Sequence, residues 1–232
     1  MADAPDTVRV HVLRVFCDDH DDHGNPLGVV MDGAAVPSTA ARQEIAFELG
    51  FSETVFVDHA RTGSVRIFTP SEELPLAGHP LVGTAWLLAH LGVGGEALHP
   101  PAGAVTCGAG PGDAWIEADP SWSPPWVLEQ LDSAGAVDAV DAGDRTGGWE
   151  YVWAWLDEAA GVVRSRAFVR EAGIDEDEAT GSAALMLAAQ VGRPIRIRQG
   201  RGSTIVAEPT GRGTVRISGR VVLDDDLRID LR

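Results

Sequence analysis

The sequence predicts an α+β protein made of two similar lobes with a cleft between them. Three observations predict it. Valine-rich segments of alternating polarity recur along the whole chain. Two strongly apolar helical segments, "PLVGTAWLLAHLG" and "GSAALMLAAQVG", each lie at a corner that pairs a glycine with a polar residue. The order strand, corner, helix, strand is found around both, and laying one corner on the other puts Gly78 on Gly181 and His79 on Ser182.

Taken in order, "TVRVHVLRVF" alternates like a half-buried strand. "STAARQEIAFELG" reads as a helix, with Ser38 or Thr39 as its cap and Gly50 at its end. "ETVFV" and "SVRIF" are two strands joined by a short turn. A helix follows with Pro80 in its first turn, where a missing N–H does no harm, and Gly92 closing it. "GAVTCGA" and "DAWIEA" are strands. Residues 119–148 are rich in Pro, Gly and Asp and read as a linker between a first lobe, 1–118, and a second, 149–232. The second lobe runs through strands "WEYVWAWL" and "VVRSRAFV", the helix from Gly181, and strands "IRIR", "STIVAE" and "TVRISGRVVL". The last strand is a candidate to cross back to the first lobe.

Composition narrows the function. A chain of 232 residues with 44% hydrophobic and 23% charged residues can bury a core. Its net charge of −17 argues against nucleic acid and anionic membranes as partners, since both require a positive footprint. All 18 basic residues apart from histidine are arginine. Without lysine there is no Schiff-base anchor for pyridoxal phosphate and no phosphate-loop lysine. Cys17 and Cys107 stand alone, so a reducing cytoplasm is expected. The N-terminal "MADAPDTVRV" lacks a secretory core, and no stretch reaches the roughly 20 apolar residues of a membrane helix.

Several residues could carry chemistry. Ser182 and Ala183 fall in a first helical turn, whose free N–H groups favour an anion, and His79 takes the matching place on the other helix. If the lobes face each other, two helix starts point into one cleft and suit a carboxylate. Glu53 in "FSETVFV" shares a strand face with Val55 and Val57. Facing inward, its pKa would rise into a useful acid/base range; facing outward, it is a solvated strand residue, and periodicity does not choose. "CDDHDDHGN" reads more simply as an exposed loop than as a metal site. Trp149, Trp153 and Trp155 read as core. Asp175, Glu176, Asp177 and Glu178 read as charges that favour a helix dipole.

The segments "GNPLGVV" (24–30), "FSETVFV" (51–57), "IFTPSEELPLAGHPLVGTA" (67–85), "EDEATGSAA" (176–184) and "RQG" (198–200) occur in the order seen in the phenazine-biosynthesis PhzF-like family, which the chain resembles over nearly its whole length. The resemblance implies a diaminopimelate epimerase-like fold, each lobe a curved, barrel-like sheet around a central helix with the active site between them. It implies Glu53 as the acid/base and His79, Asp177 and Ser182 as catalytic partners. Asn25, Gly78, Thr180 and Gly181 are implied to line the substrate. No cofactor and no metal are implied, and a homodimer is. The corners "AGHP" and "ATGS" lack the thiols of the epimerase relatives, so thiol-based racemisation has no residues here. His79 and Ser182 are 103 positions apart, closer than the resemblance leads one to expect, so the entry to the second lobe is trimmed.

The expected activity is therefore a cofactor-independent isomerase of secondary metabolism. It would shift a proton and a double bond within a small cyclic or unsaturated carboxylic acid. The alternatives are an epimerase or racemase with non-thiol bases, and a catalytically silent homologue that binds a small molecule.

Overall fold

The computed structural model describes residues 7–36, 38–145, 147–170 and 174–230. The reading of the first six residues lies outside them. The first half comprises β1 (Thr7–Cys17), β2 (Asn25–Val30), α1 (Thr39–Leu49), β3 (Glu53–His59), β4 (Ser64–Phe68), β5 (Glu73–Leu74), α2 (Gly78–His90), β6 (Ala97–Leu98), β7 (Val105–Ala109) and β8 (Asp113–Ala118). The second comprises β9 (Val127–Gln130), α3 (Ala134–Asp138), β10 (Glu150–Asp157), β11 (Val162–Val169), β12 (Ile174–Asp177), α4 (Gly181–Val191), β13 (Ile195–Gln199), β14 (Ser203–Pro209), β15 (Val215–Leu223) and β16 (Leu227–Asp230).

The two halves repeat one design. In the first, β2 and β3 are parallel and joined through α1; β3 and β4 form an antiparallel hairpin; β5 folds back on β4 and leads into α2. In the second, β9 and β10 are parallel and joined through α3; β10 and β11 form the hairpin; β12 folds back on β11 and leads into α4. Residues 119–148 are thus not a bare linker. They hold the counterpart of β2 and α1, shortened to a four-residue strand and a five-residue helix. The reduction is visible at the sheet margin. β2 is covered by antiparallel β1, whereas β9 ends the strand order among the described residues.

Each central helix is apolar because it is enclosed. Every residue of α2 from Gly78 to Leu88 is buried, and the helix packs against β1, β2, β3, β7, β8 and β15. α4 packs on β14 and β15. A single core cluster runs through both lobes, with smaller clusters beneath α1 and α3. β3 explains why alternation misleads here: Val55 and Val57 face the main core, while Phe56 on the other face lies in the cluster under α1. β1, expected to be half-buried, is likewise covered on both faces from Val10 onward except at Arg14.

β15 belongs to both lobes. Val215–Arg220 pair with β8, the same stretch reaches β14 through Ser218, and Arg220–Leu223 pair with β1. β16 then lies along the start of β1.

Candidate active site

Glu53 opens β3, directly beside the start of β2, with Leu27 as its register partner. Its face is the inward one, and only 8% of the residue is exposed. Burial, followed by the nearby negative charge of Asp177, pushes its carboxyl up to about 8, opposed by the adjacent Ser52. At pH 7 most of it therefore carries its proton.

His79 is the second residue of α2 and is 2% exposed. Burial pushes its imidazole down to about 3, against a hydrogen bond to the backbone of Pro26, so the ring is neutral. Its Nε2 stands 3.5 Å from Glu53 Oε2. That is ion-pair distance, but with an uncharged ring and a protonated carboxyl it is a contact between two neutral groups near pH 7. Among the described residues neither atom has another hydrogen-bond partner. Two buried polar atoms left without partners are unfavourable by about 1–3 kcal/mol each, which is the usual signature of a place reserved for something else.

Asp177 approaches from the other lobe, at the end of β12. Asn25 Nδ2, at the start of β2, donates to its Oδ1 at 2.6 Å, and Thr180 Oγ1 donates to its Oδ2 at 2.6 Å. Burial raises the carboxyl to about 6, while these two donors restrain it and favour the charged form. Asn25 also donates to the Ala179 carbonyl, accepts from Ser52 and lies 3.4 Å from His79 Nδ1. One amide thus ties both lobes to the candidate acid. Thr180 stands at the cap position of α4, but its hydroxyl turns to Asp177 and leaves the helix uncapped.

That absence of a cap is shared. α1 and α3 are capped by Ser38 and Ser133, whereas α2 and α4 have no side-chain cap. The two central helices therefore present free first-turn N–H groups where their starts meet. They meet closely: a Cβ on Gly78 would fall 2.6 Å from Gly181 Cα, and one on Gly181 would fall 2.8 Å from Gly78 Cα. The close approach that these glycines demonstrably permit is that of one helix start to the other. Glu53, His79, Asp177, Thr180 and Ser182 line the cleft above them, walled by Leu74, Leu76, Trp126 and Trp149. Its open interior is small, about 20 Å³ for the centre of a water molecule.

The acids before α4 are the clearest correction. They do not flank a helix dipole, because residues 174–177 form β12 and α4 has no acid in its first turn. Glu176 instead pairs with Arg166, and Glu178 binds Arg201 and Ser203. Sequence reasoning also passed over two residues. Gln199, quoted only within "RQG", is fully buried and donates to Asp177 O and Thr180 Oγ1, while its own carbonyl accepts from Tyr151. Trp126, in the Pro-rich stretch, donates from Nε1 to Ser182 Oγ at 3.0 Å. Neither carried a local signal beyond a polar residue near a recognised motif. Cys17 and Cys107 are buried away from the cleft lining, with thiols pushed up to about 11 by burial. Among the described residues, no three His, Cys, Asp or Glu side chains gather as metal ligands, and no helix is long and apolar enough to cross a membrane.

Residues 13–114 match the model of the PhzC-PhzF family, phenazine biosynthesis-like proteins. The chain is 51% identical over 65 residues to trans-2,3-dihydro-3-hydroxyanthranilate isomerase from Pseudomonas fluorescens, covering 27% of this chain and 23% of that one. To the isomerase of the same name from Pseudomonas aeruginosa it is 27% identical over 271 residues, covering 86% of this chain and 94% of the relative. An alignment longer than the 232-residue chain contains gaps on this side. In two of the curated relatives that the chain matches, the aligned part spans under a third of the relative's length, 30% and 23%. The fold is that of a PhzF-family phenazine biosynthesis protein from Enterococcus faecalis, with a TM-score of 0.73 and 20% identity over 97% of this chain and 100% of that one.

Proposed function

We propose, from the premise that this chain belongs to the phenazine-biosynthesis PhzF-like family, that it is a cofactor-independent isomerase with Glu53 as its acid/base. It moves a proton, and with it a double bond, within a small cyclic or unsaturated carboxylic acid. The observation that carries this reading is the pair of buried, partnerless atoms Glu53 Oε2 and His79 Nε2, 3.5 Å apart beneath two uncapped helix starts. A substrate carboxylate takes the free N–H groups, because among the described residues no arginine lines the cleft to receive it. Ionised Glu53 removes a C–H proton, the C–H electron pair becomes the new double bond, and the displaced π pair takes the proton back from Glu53 at a second carbon. Neutral His79 hydrogen-bonds the reacting system, and Asp177 holds the facing wall.

The named activity of the relatives makes trans-2,3-dihydro-3-hydroxyanthranilate the first substrate to try. Glu53→Gln is expected to lower kcat about 10²–10⁴-fold with folding and ligand binding retained. Unchanged turnover in that variant would falsify the assignment. A second reading, epimerisation, is favoured by one feature: Glu53 and Asp177 are buried carboxyl groups supplied by opposite lobes. Turnover in D₂O separates the two, since an epimerase labels the original stereocentre and an isomerase does not. The isomerase reading brings with it a cytoplasmic homodimer serving secondary metabolism, supported by the family resemblance and open to test by light scattering and product analysis.

A further inference from the structure

Ser182 is the second residue of α4, as His79 is of α2, and the segment after β8 holds it by two hydrogen bonds. Trp126 Nε1 donates to its hydroxyl at 3.0 Å, and Ser123 Oγ donates to its backbone carbonyl at 3.1 Å. A hydroxyl offers one donor and two acceptor sites, whereas an indole N–H can only donate. Trp126 therefore fills an acceptor site on Ser182 and leaves the hydroxyl proton free. Among the described residues that proton has no recorded acceptor, and Ser182 lines the cleft. The neighbouring Thr180 differs, since its proton is already committed to Asp177.

Trp126 is itself firmly held. It is 5% exposed and lies edge-on to Trp149 at 5.1 Å and to Tyr151 at 6.1 Å between ring centroids. An indole locked by two aromatic neighbours gives its N–H a fixed direction, and that direction is passed to the Ser182 hydroxyl. The indole ring also forms part of the cleft wall.

We infer that Trp126 is a positioning residue for this site: its indole N–H orients Ser182 so that the serine hydroxyl donates into the cleft, to a substrate oxygen, opposite the Glu53–His79 pair. The kinetic part of this inference rests on the isomerase reading; the binding part does not. A double-mutant cycle tests it, because it separates an effect exerted through Ser182 from an effect on the wall. Trp126→Phe keeps an aromatic ring and removes the donor. With trans-2,3-dihydro-3-hydroxyanthranilate as substrate, Trp126→Phe is expected to lower kcat/KM about tenfold in the presence of Ser182 and less than twofold in the Ser182→Ala background. Trp126→His, which keeps a ring N–H, recovers part of the loss; Trp126→Leu, which also lacks a donor, replaces the phenylalanine variant in the cycle should that one not fold by circular dichroism. Equal losses in both backgrounds, or none in either, overturn the inference. If the wild-type chain leaves this substrate unchanged, the choice of substrate fails on its own, separately from the inference about Trp126. The same proteins titrated calorimetrically with anthranilate then decide: weaker binding in Trp126→Phe only when Ser182 is present supports the inference, and identical affinities overturn it.

Discussion

The corners Gly78-His79 and Gly181-Ser182 have the same backbone and opposite chemistry. Both begin an uncapped central helix with a glycine that the other helix start requires. One then carries an imidazole kept neutral by burial, with a free nitrogen facing Glu53; the other carries a hydroxyl fixed by Trp126. A duplicated frame thus places two different groups on two sides of one small volume. The backbone repeat builds the cleft, and the divergence of one side chain makes it asymmetric. A one-sided proton shift needs such asymmetry; a mirror-image pair of bases would not.

The largest effect expected outside Glu53 itself falls on the shared backbone. Gly181→Ala must displace the backbone of Gly78, so a loss of about 2–4 kcal/mol in unfolding free energy is expected, and Gly78→Ala should do the same. Gly112→Ala is the control: a Cβ there meets nothing within 4 Å, so chemical denaturation should show a change within about 0.5 kcal/mol. If Gly181→Ala is as mild as the control, the two helix starts are not mutually constrained.

The next effect is pH dependence, and it separates the two walls. Glu53, raised to about 8, must lose its proton to act as base, so kcat/KM is expected to rise with pH and level off above about 8. Asp177, at about 6, titrates with it as a coupled pair, while neutral His79 adds no limb between pH 5 and 9. The same shift affects stability. The folded chain holds the Glu53 proton to higher pH than the unfolded chain, so its contribution is fully present below about 4.5 and is lost as pH rises through about 8. Glu53→Gln should therefore gain stability relative to wild type between pH 4 and pH 9, on the order of 1–3 kcal/mol, measurable by urea titration at the two pH values. A pH-independent difference would count against a buried, proton-holding Glu53.

The smallest effect contrasts capped and uncapped helices. Ser38→Ala at α1 is expected to reduce stability by about 1 kcal/mol while leaving kcat unchanged. Thr180→Val has no cap to remove from α4, yet it strips a donor from Asp177 and should move the lower pH limb upward.

Much of this was legible in the sequence where local pattern and tertiary role agree. α1 begins at its Ser38 cap and ends at Gly50 in the left-handed region, as the residues indicate. α2 and α4 announce themselves by unbroken apolar runs. What stayed hidden was set by distant partners. β12 is four residues, half of them exposed acids, and is a strand only because β11 offers its edge. β9 and α3, four and five residues long, are too short to show a period and are masked by the Pro-, Gly- and Asp-rich stretches on either side. The inward face of Glu53 could not be chosen from alternation, because both faces of β3 are covered. Asp177 was singled out by resemblance alone; in the structure Asn25 and Thr180 donate to its carboxyl and Gln199 to its backbone carbonyl, partners spread over 174 residues of chain.

The position of β15 sets how the molecule can be divided. A chain stopped before Val215 would deprive β1 and β8 in the first lobe, and β14 in the second, of the strand they share. Residues 1–118 taken without β15 would leave β1 and β8 each with an open edge, so the seam between the lobes is a shared strand rather than a surface contact.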